Sequence, residues 1–207
     1  DYSNLSHVIA EAVIEKLTKT SYSTFVRGRV FQPAGITRAG LFSIGPYKAG
    51  SSEAKHYTPS GSYAEYAAKD TCENEPPGVG AGGWAMTPRD LLRWFVGVDG
   101  LPAREMLSPP NFLDSVTAPT STMTPTTYAR SWITGSWGWC GTGSQAITHG
   151  HNGGLSGAYS NLFQLANGYS FAIIGNQSIR PNGGCHDGVK PFLDLLTQID
   201  WPEHDLF

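Results

Sequence analysis

The spacing of the apolar residues changes partway along the chain, and that change restricts it to a mixed fold. In residues 4–18, Leu5, Val8, Ile9, Ala12, Val13 and Leu17 recur at i, i+3, i+4 and i+7. This is the period of a helix with one buried face, and Asn4 or Ser3 is suited to cap its start. A second helix is expected over 21–31 with Tyr22, Phe25, Val26 and Val30 inward, stopped by Gln32-Pro33-Ala34-Gly35. Thr87-Pro88-Arg89-Asp90 combines an N-cap, a proline at the first helical position and an acid in the first turn. Leu91, Leu92, Trp94, Phe95 and Val98 should form the core face of that helix. Pro109-Pro110 opens a further short helix through Val116.

Residues 117–127 are rich in Thr, Ser and Pro and read as a linker; beyond them the period becomes that of strands. Residues 136–140, 146–150, 158–165 and 169–175 read as strands, and Asn167-Gly168 between the last two is a hairpin signal of the type I′ kind. A closing helix is expected over 187–199. The pattern implies an α+β fold. It divides into a helical lobe with long cleft loops (1–120) and a lobe of sheet hairpins with a terminal helix (121–207), interlocked as one domain.

Several function classes are excluded by composition. Only 15% of the 207 residues are charged and the net charge is −3, so there is no basic surface for nucleic acid. No apolar run approaches the roughly 20 residues of a membrane span. Cys72, Cys140 and Cys185 are an odd set, leaving at least one thiol free or bonded outside the chain. A single Cys140–Cys185 bridge and three unlinked thiols both fit. Abundant Gly and Trp with few Lys lean toward a secreted or periplasmic protein.

Two short motifs carry chemistry. The chain opens with Tyr2-Ser3-Asn4 directly ahead of the first helix, and Thr148 to Gly157 contains His151-Asn152-Gly153-Gly154. Taken singly, Tyr2 and Asn4 are equally a packed aromatic and a helix cap, and His151 is equally a structural strand histidine. In this order, however, the motifs resemble those of the class C β-lactamase and D-alanyl-D-alanine peptidase family, including its esterase branch. That family carries Ser-x-x-Lys, then Tyr-x-Asn, then Lys/His-x-Gly. The two early helices with their Pro-x-Gly stop, and Gly82-Gly83-Trp84 running into Thr87-x-x-Asp90-Leu91, are also similar to the family.

The resemblance implies acyl transfer to a serine, which needs a nucleophile, a base for its proton and donors for the oxyanion. By this likeness Tyr2 is the tyrosine that shares the proton work, and Asn4 holds the substrate amide. His151 stands on the strand edging the cleft; Asn152, Gly153 and Gly154 border the substrate, with the Gly154 N–H as an oxyanion donor. The two glycines let substrate lie close to the strand. His in place of Lys at 151 gives a carboxylate-bearing substrate a weaker fixed charge, which favours ester or peptide cleavage over β-lactam hydrolysis. No cofactor is implied, and the partner is a small-molecule or peptide carbonyl substrate.

The family's nucleophile segment should precede Tyr2. The one Ser-x-x-Lys present, Ser52-Glu53-Ala54-Lys55, follows it and lies in a Gly/Ser-rich loop, where Ser and Lys do not share a helical face. Tyr159-Ser160-Asn161 repeats Tyr-x-Asn inside a strand and reads as structural. The chain alone is therefore expected to be catalytically inactive. Its uncovered sheet edge should pair with an N-terminal segment or with a second copy. Two other classes compete with a hydrolase. One is a binding or scaffold protein that keeps the fold; the other is a metalloprotein using His149, His151 and His186.

Overall fold

The computed structural model describes residues 3–41, 52–57, 79–99, 106–108, 128–134, 147–155, 157–177 and 195. The helices expected at 109–116 and 187–199, the strand at 136–140, the linker at 117–127 with the lobe boundary, and all three cysteines lie outside these residues, except that Leu195 is helical.

The chain begins with α1 (Asn4–Thr18), and Ser3 rather than Asn4 is its cap: the Ser3 hydroxyl accepts the Leu5 N–H at 3.2 Å. Lys19 ends it in the left-handed region (φ 58°). α2 (Tyr22–Val26), capped by Ser21, runs on into a π-helical turn at Arg27–Phe31, so the expected helix over 21–31 is continuous but widens in its second half. α3 (Pro88–Phe95) starts as its sequence dictates. The Thr87 hydroxyl accepts the Asp90 N–H at 3.1 Å and donates to the Asp90 carboxylate at 2.9 Å.

Among the described residues six strands accompany these helices: β1 (Gly40–Leu41), β2 (Trp84–Ala85), β3 (Ile133–Thr134), β4 (Ile147–Leu155), β5 (Ala158–Leu165) and β6 (Ser170–Gly175). β1 and β2 form a small ribbon; the others form an antiparallel sheet in the order β3-β4-β5-β6. The β5–β6 hairpin stands where Asn167-Gly168 placed it, but its turn is not type I′. Only Gly168 has positive φ (87°), and its N–H donates to the Leu165 carbonyl at 2.9 Å. This is the three-residue hairpin in which a type I turn is closed by one left-handed residue. Asn167 contributes through its side chain, accepting the Tyr169 N–H at 3.2 Å.

Each face of the sheet is packed separately. α3 lies on one face, where Phe95 and Val98 meet Trp132, Leu162 and Ala172. On the other, Ile147, Phe163 and Leu165 gather with Phe171 and Ile173. A third cluster ties the helical region together: Val26, Phe31, Ile36 and Ala39 pack with Trp84, Met86 and Trp94. Trp94 and Trp132 stack with ring centres 6.1 Å apart, so the helical cluster and the sheet cluster are continuous through α3.

α1 departs from expectation. Its buried residue is Glu11, whereas Leu5, Ile9, Val13 and Leu17 are exposed. The inward face of α1 carries Glu11 and Glu15 beside the half-buried Val8 and Ile14, and its carboxylates dock on backbone: Glu11 accepts the Gly80 N–H at 2.8 Å, and Glu15 accepts the Tyr22 N–H at 2.8 Å. Gly80, in a 3₁₀ turn at Val79–Ala81, permits this approach, since a Cβ there would stand 2.9 Å from the His7 carbonyl oxygen. We predict that Gly80→Val lowers stability by about 1–3 kcal/mol through forced separation of α1 from this turn. Chemical denaturation of the two proteins measures it, and an unchanged midpoint contradicts the close contact.

Candidate active site

β4 holds the histidines, and a bulge decides where they point. Ile147 pairs with Leu165 but His149 pairs with Gln164, so Thr148 is the extra residue. Side chains alternate along a strand. Without the bulge, Ile147, His149 and His151 would share a face; with it, Ile147 joins Leu165 on one face while His149 and His151 turn to the α3 face. Thr148 is anchored there by donating to the Gln164 carbonyl at 3.1 Å.

His149 is enclosed in aromatic rings. Its ring centre is 5.5 Å from that of Phe95 and 5.3 Å from that of Trp132, the latter edge-on. Its Nδ1 lies 3.2 Å from the Thr148 hydroxyl. Because that hydroxyl spends its hydrogen on Gln164, it accepts from Nδ1–H. Burial pushes the His149 pKa from 6.5 down to about 4, and the ring is neutral. The metal reading of His149, His151 and His186 needs a residue, His186, that lies outside the described residues; among the described residues no three His, Cys, Asp or Glu side chains gather, and His149 is a core residue.

His151 occupies a different setting. β3 pairs with β4 only at Ile133–Gly150 and Thr134–His149. From His151 to Leu155, β4 therefore has no strand on that side among the described residues. Tyr128 is delivered to this edge by a tight reversal in which the Ala129 N–H donates to the Trp132 carbonyl at 2.8 Å, with Ser131 at φ 67°. The Tyr128 hydroxyl lies 2.9 Å from His151 Nε2, and the two rings meet edge to face. His151 Nδ1 lies 2.5 Å from the Asn152 carbonyl oxygen. A carbonyl only accepts, so Nδ1 carries the hydrogen, and neutral Nε2 accepts from the Tyr128 O–H. Burial lowers the His151 pKa first; the Asn152 carbonyl opposes this, and charge on His7 lowers it further.

His7 lies on α1 three residues after Asn4, so the two share a helical face, and it acts electrostatically on His151 of the second motif. Asn4 is solvent-exposed; Tyr2 lies outside the described residues. Asn152 pairs with Asn161, whereas His151 pairs with Leu162, so the Asn152 side chain faces away from His151. What it gives His151 is its carbonyl. Gly153 and Gly154 are exposed on the open stretch of β4. A Cβ at Gly154 would meet nothing within 4 Å, while one at Gly153 would crowd the Ser160 hydroxyl at 2.8 Å.

Residues 52–57 are not helical, and Ser52 and Lys55 are exposed. The segment is pinned to the sheet: the Lys55 carbonyl accepts from the Asn176 amide at 2.8 Å, and His56 Nδ1 reaches the Gly157 carbonyl at 3.0 Å. Lys55 lies over the Tyr57 ring. Sequence reasoning missed His7 and Tyr128. His7 was recoverable, being one turn along α1 from Asn4; Tyr128 was not, because only folding brings it 23 residues along to His151.

The sequence matches the family described as Beta-lactamase over residues 1–188. A solved structure, the penicillin binding protein from Bacillus halodurans, superposes with a TM-score of 0.61 at 16% identity. The superposition covers 86% of this chain and 52% of that one, so the chain spans about half the length of that relative. No curated protein matches the chain.

Two predictions come from the histidines. For His151, nitrogen NMR should show a neutral ring protonated at Nδ1 with a titration midpoint below 6.5, and His7→Gln should move the midpoint up; an Nε2–H tautomer contradicts the Tyr128 contact. For His149, the folded pKa of about 4 lies below the ordinary 6.5. The unfolded chain therefore binds the extra proton between these values. The associated stability is complete above pH 6.5 and is lost as pH falls toward 4, by up to about 3 kcal/mol. Thermal unfolding of the protein and of His149→Gln across this range should show a weaker pH dependence in the variant.

Proposed function

Because the chain belongs to the beta-lactamase family, we propose that it forms the Tyr-x-Asn and His-x-Gly half of a serine hydrolase that works by acyl transfer on an ester or peptide carbonyl. The observation that carries this is His151. It is held between the Tyr128 hydroxyl and the Asn152 carbonyl, its pKa lowered chiefly by burial, on a stretch of β4 that has no strand on one side among the described residues.

The chemistry follows from that arrangement. A neutral imidazole offers no fixed positive charge to a substrate carboxylate, which favours an uncharged acyl group over a β-lactam acid. The open stretch from His151 to Leu155 lets an extended substrate lie along β4 through backbone hydrogen bonds. At Gly154 there is room for a carbonyl oxygen to approach the chain, and its N–H would serve as one oxyanion donor. Tyr2 would take the proton of the nucleophile, Asn4 would hold the substrate amide, and Tyr128 orients His151. In this reading Ser52 and Lys55 are not the nucleophile pair, and the serine and lysine come from polypeptide outside these residues. The compartment is secreted or periplasmic. No helix among the described residues is long and apolar enough to cross a membrane.

A fluorophosphonate probe tests this directly by intact mass and peptide mapping. The expected result is no adduct on the 207-residue chain, and an adduct on the supplied serine when polypeptide carrying Ser-x-x-Lys is present. An adduct on Ser52 overturns the assignment; a reconstituted protein that stays unlabelled supports a binding role on the same fold. In the reconstituted enzyme, His151→Ala should lower kcat/KM about 10²-fold or more, and Tyr128→Phe should lower it by less.

A further inference from the structure

We propose that His56 is a positioning residue of the candidate site. Its ring grips the β4–β5 turn at the Gly157 carbonyl and so fixes the stretch of β4 that carries Gly154. The proposal rests on the reading above only in giving the Gly154 N–H a use; the grip is a contact within this chain. His56 Nδ1 lies 3.0 Å from the Gly157 carbonyl oxygen, across 101 residues of sequence. A carbonyl only accepts, so Nδ1 carries the hydrogen and donates it. The Glu53 carboxylate lies 3.3 Å from the other ring nitrogen, Nε2. Both side chains are 16% exposed. A ring with a carbonyl at one nitrogen and a carboxylate at the other has a set orientation, so Nδ1 stays aimed at the turn.

The backbone behind the ring is tied to the sheet on both sides of His56. The Tyr57 N–H donates to the Asn176 carbonyl at 2.8 Å, and the Asn176 side-chain amide donates to the Lys55 carbonyl at 2.8 Å. Tyr57 and Gln177 form a parallel bridge just past β6. From this anchor the His56 side chain reaches the neighbouring hairpin. Gly175 of β6 pairs with Tyr159 of β5, which pairs with Gly154 of β4, so the anchor, the turn and Gly154 share one end of the sheet. The side chains of Ser52 and Lys55 are exposed. What this segment brings to the site is therefore Glu53 and His56, and not the Ser-x-x-Lys pair.

β4 needs support at this end. It pairs with β5 as far as Leu155–Ala158, but from His151 onward it has no strand on its other side among the described residues. Gly153 and Gly154 both stand in this stretch, and glycine weakens a strand because it has no side chain to pack and more freedom to lose. Turn geometry sets the arms that a turn joins, and this turn is left-handed at Gly157, with φ 82°. Gly157 is buried, so its carbonyl requires a donor, and His56 supplies one. An oxyanion donor stabilises charge only when its N–H is aimed in advance. Fixing the turn three residues beyond Gly154 aims it.

Backbone nitrogen-15 relaxation of the 207-residue chain tests this without turnover. The order parameters of Gly153 and Gly154 should be ~0.85, as in rigid backbone, and His56→Ala should lower them to ~0.6 or less. Those of Phe95 and Phe163 should not change. His56→Asn, which places an N–H near the position of Nδ1, should restore the order; His56→Gln, whose N–H falls near that of Nε2, should not. A merely structural loss would affect the Asn and Gln variants alike, so this pair separates positioning from packing, and it decides the question even if His56→Ala does not fold. The proposal is overturned if Gly154 stays as ordered in the Ala and Gln variants as in the unsubstituted chain, or if the Asn and Gln variants behave alike. Disorder at Gly154 that Asn reverses upholds it. If that result comes with no fluorophosphonate adduct once polypeptide carrying Ser-x-x-Lys is supplied, the acyl-transfer reading fails and the grip stands.

Discussion

The extra residue at Thr148 is the constraint on which the described site depends. It shifts the alternation of β4 against β5, so that Ile147 packs with Phe163 and Leu165 on one side of the sheet while His149 and His151 face α3 and Tyr128 on the other. A regular strand would send the histidines to the face that carries Ile147, or Ile147 to the face of α3. The bulge is held by a side-chain to backbone hydrogen bond within the ladder, from Thr148 to the Gln164 carbonyl. The irregularity is therefore part of the sheet.

Two histidines two residues apart on one face are put to different uses by their surroundings. His149 is walled by Phe95 and Trp132, with the Thr148 hydroxyl at its Nδ1, and burial pushes its pKa down to about 4. His151 lies one pair beyond the end of β3, where β4 has no strand on that side among the described residues. There its ring bridges a phenol and a carbonyl, groups that fix its tautomer and its orientation. The first histidine completes a core and the second lies at the candidate site. The difference comes from where β3 ends.

α1 connects the site to the rest of the fold through backbone. Glu11 on Gly80 and Glu15 on Tyr22 set the rotation of the helix, and that rotation brings His7 into electrostatic reach of His151. The same rotation leaves Leu5, Ile9, Val13 and Leu17 outward. The placement of one half of the site and the exposure of an apolar ridge are thus consequences of one pair of carboxylate contacts.

Much of the local structure was legible in residue spacing. The bounds of α1, the start of α3 at Thr87-Pro88 and the β5–β6 hairpin follow from caps, periodicity and turn residues, which act over a few positions. The order of Tyr-x-Asn and His-x-Gly pointed to the beta-lactamase family for the same reason, since motifs are local. Spacing gave the apolar stripe of α1 but not its direction, because direction depends on whether backbone N–H groups elsewhere need a carboxylate. It gave an alternating strand around His149 and His151 but neither the bulge nor the extension of β4 to Leu155, which depend on the partner strand. It gave no sign of Tyr128. The sequence by itself determined the bounds of these local elements and the family to which the chain belongs. The tertiary structure alone decided which face each element shows and which side chains meet His151, because those outcomes depend on contacts between residues far apart in the chain.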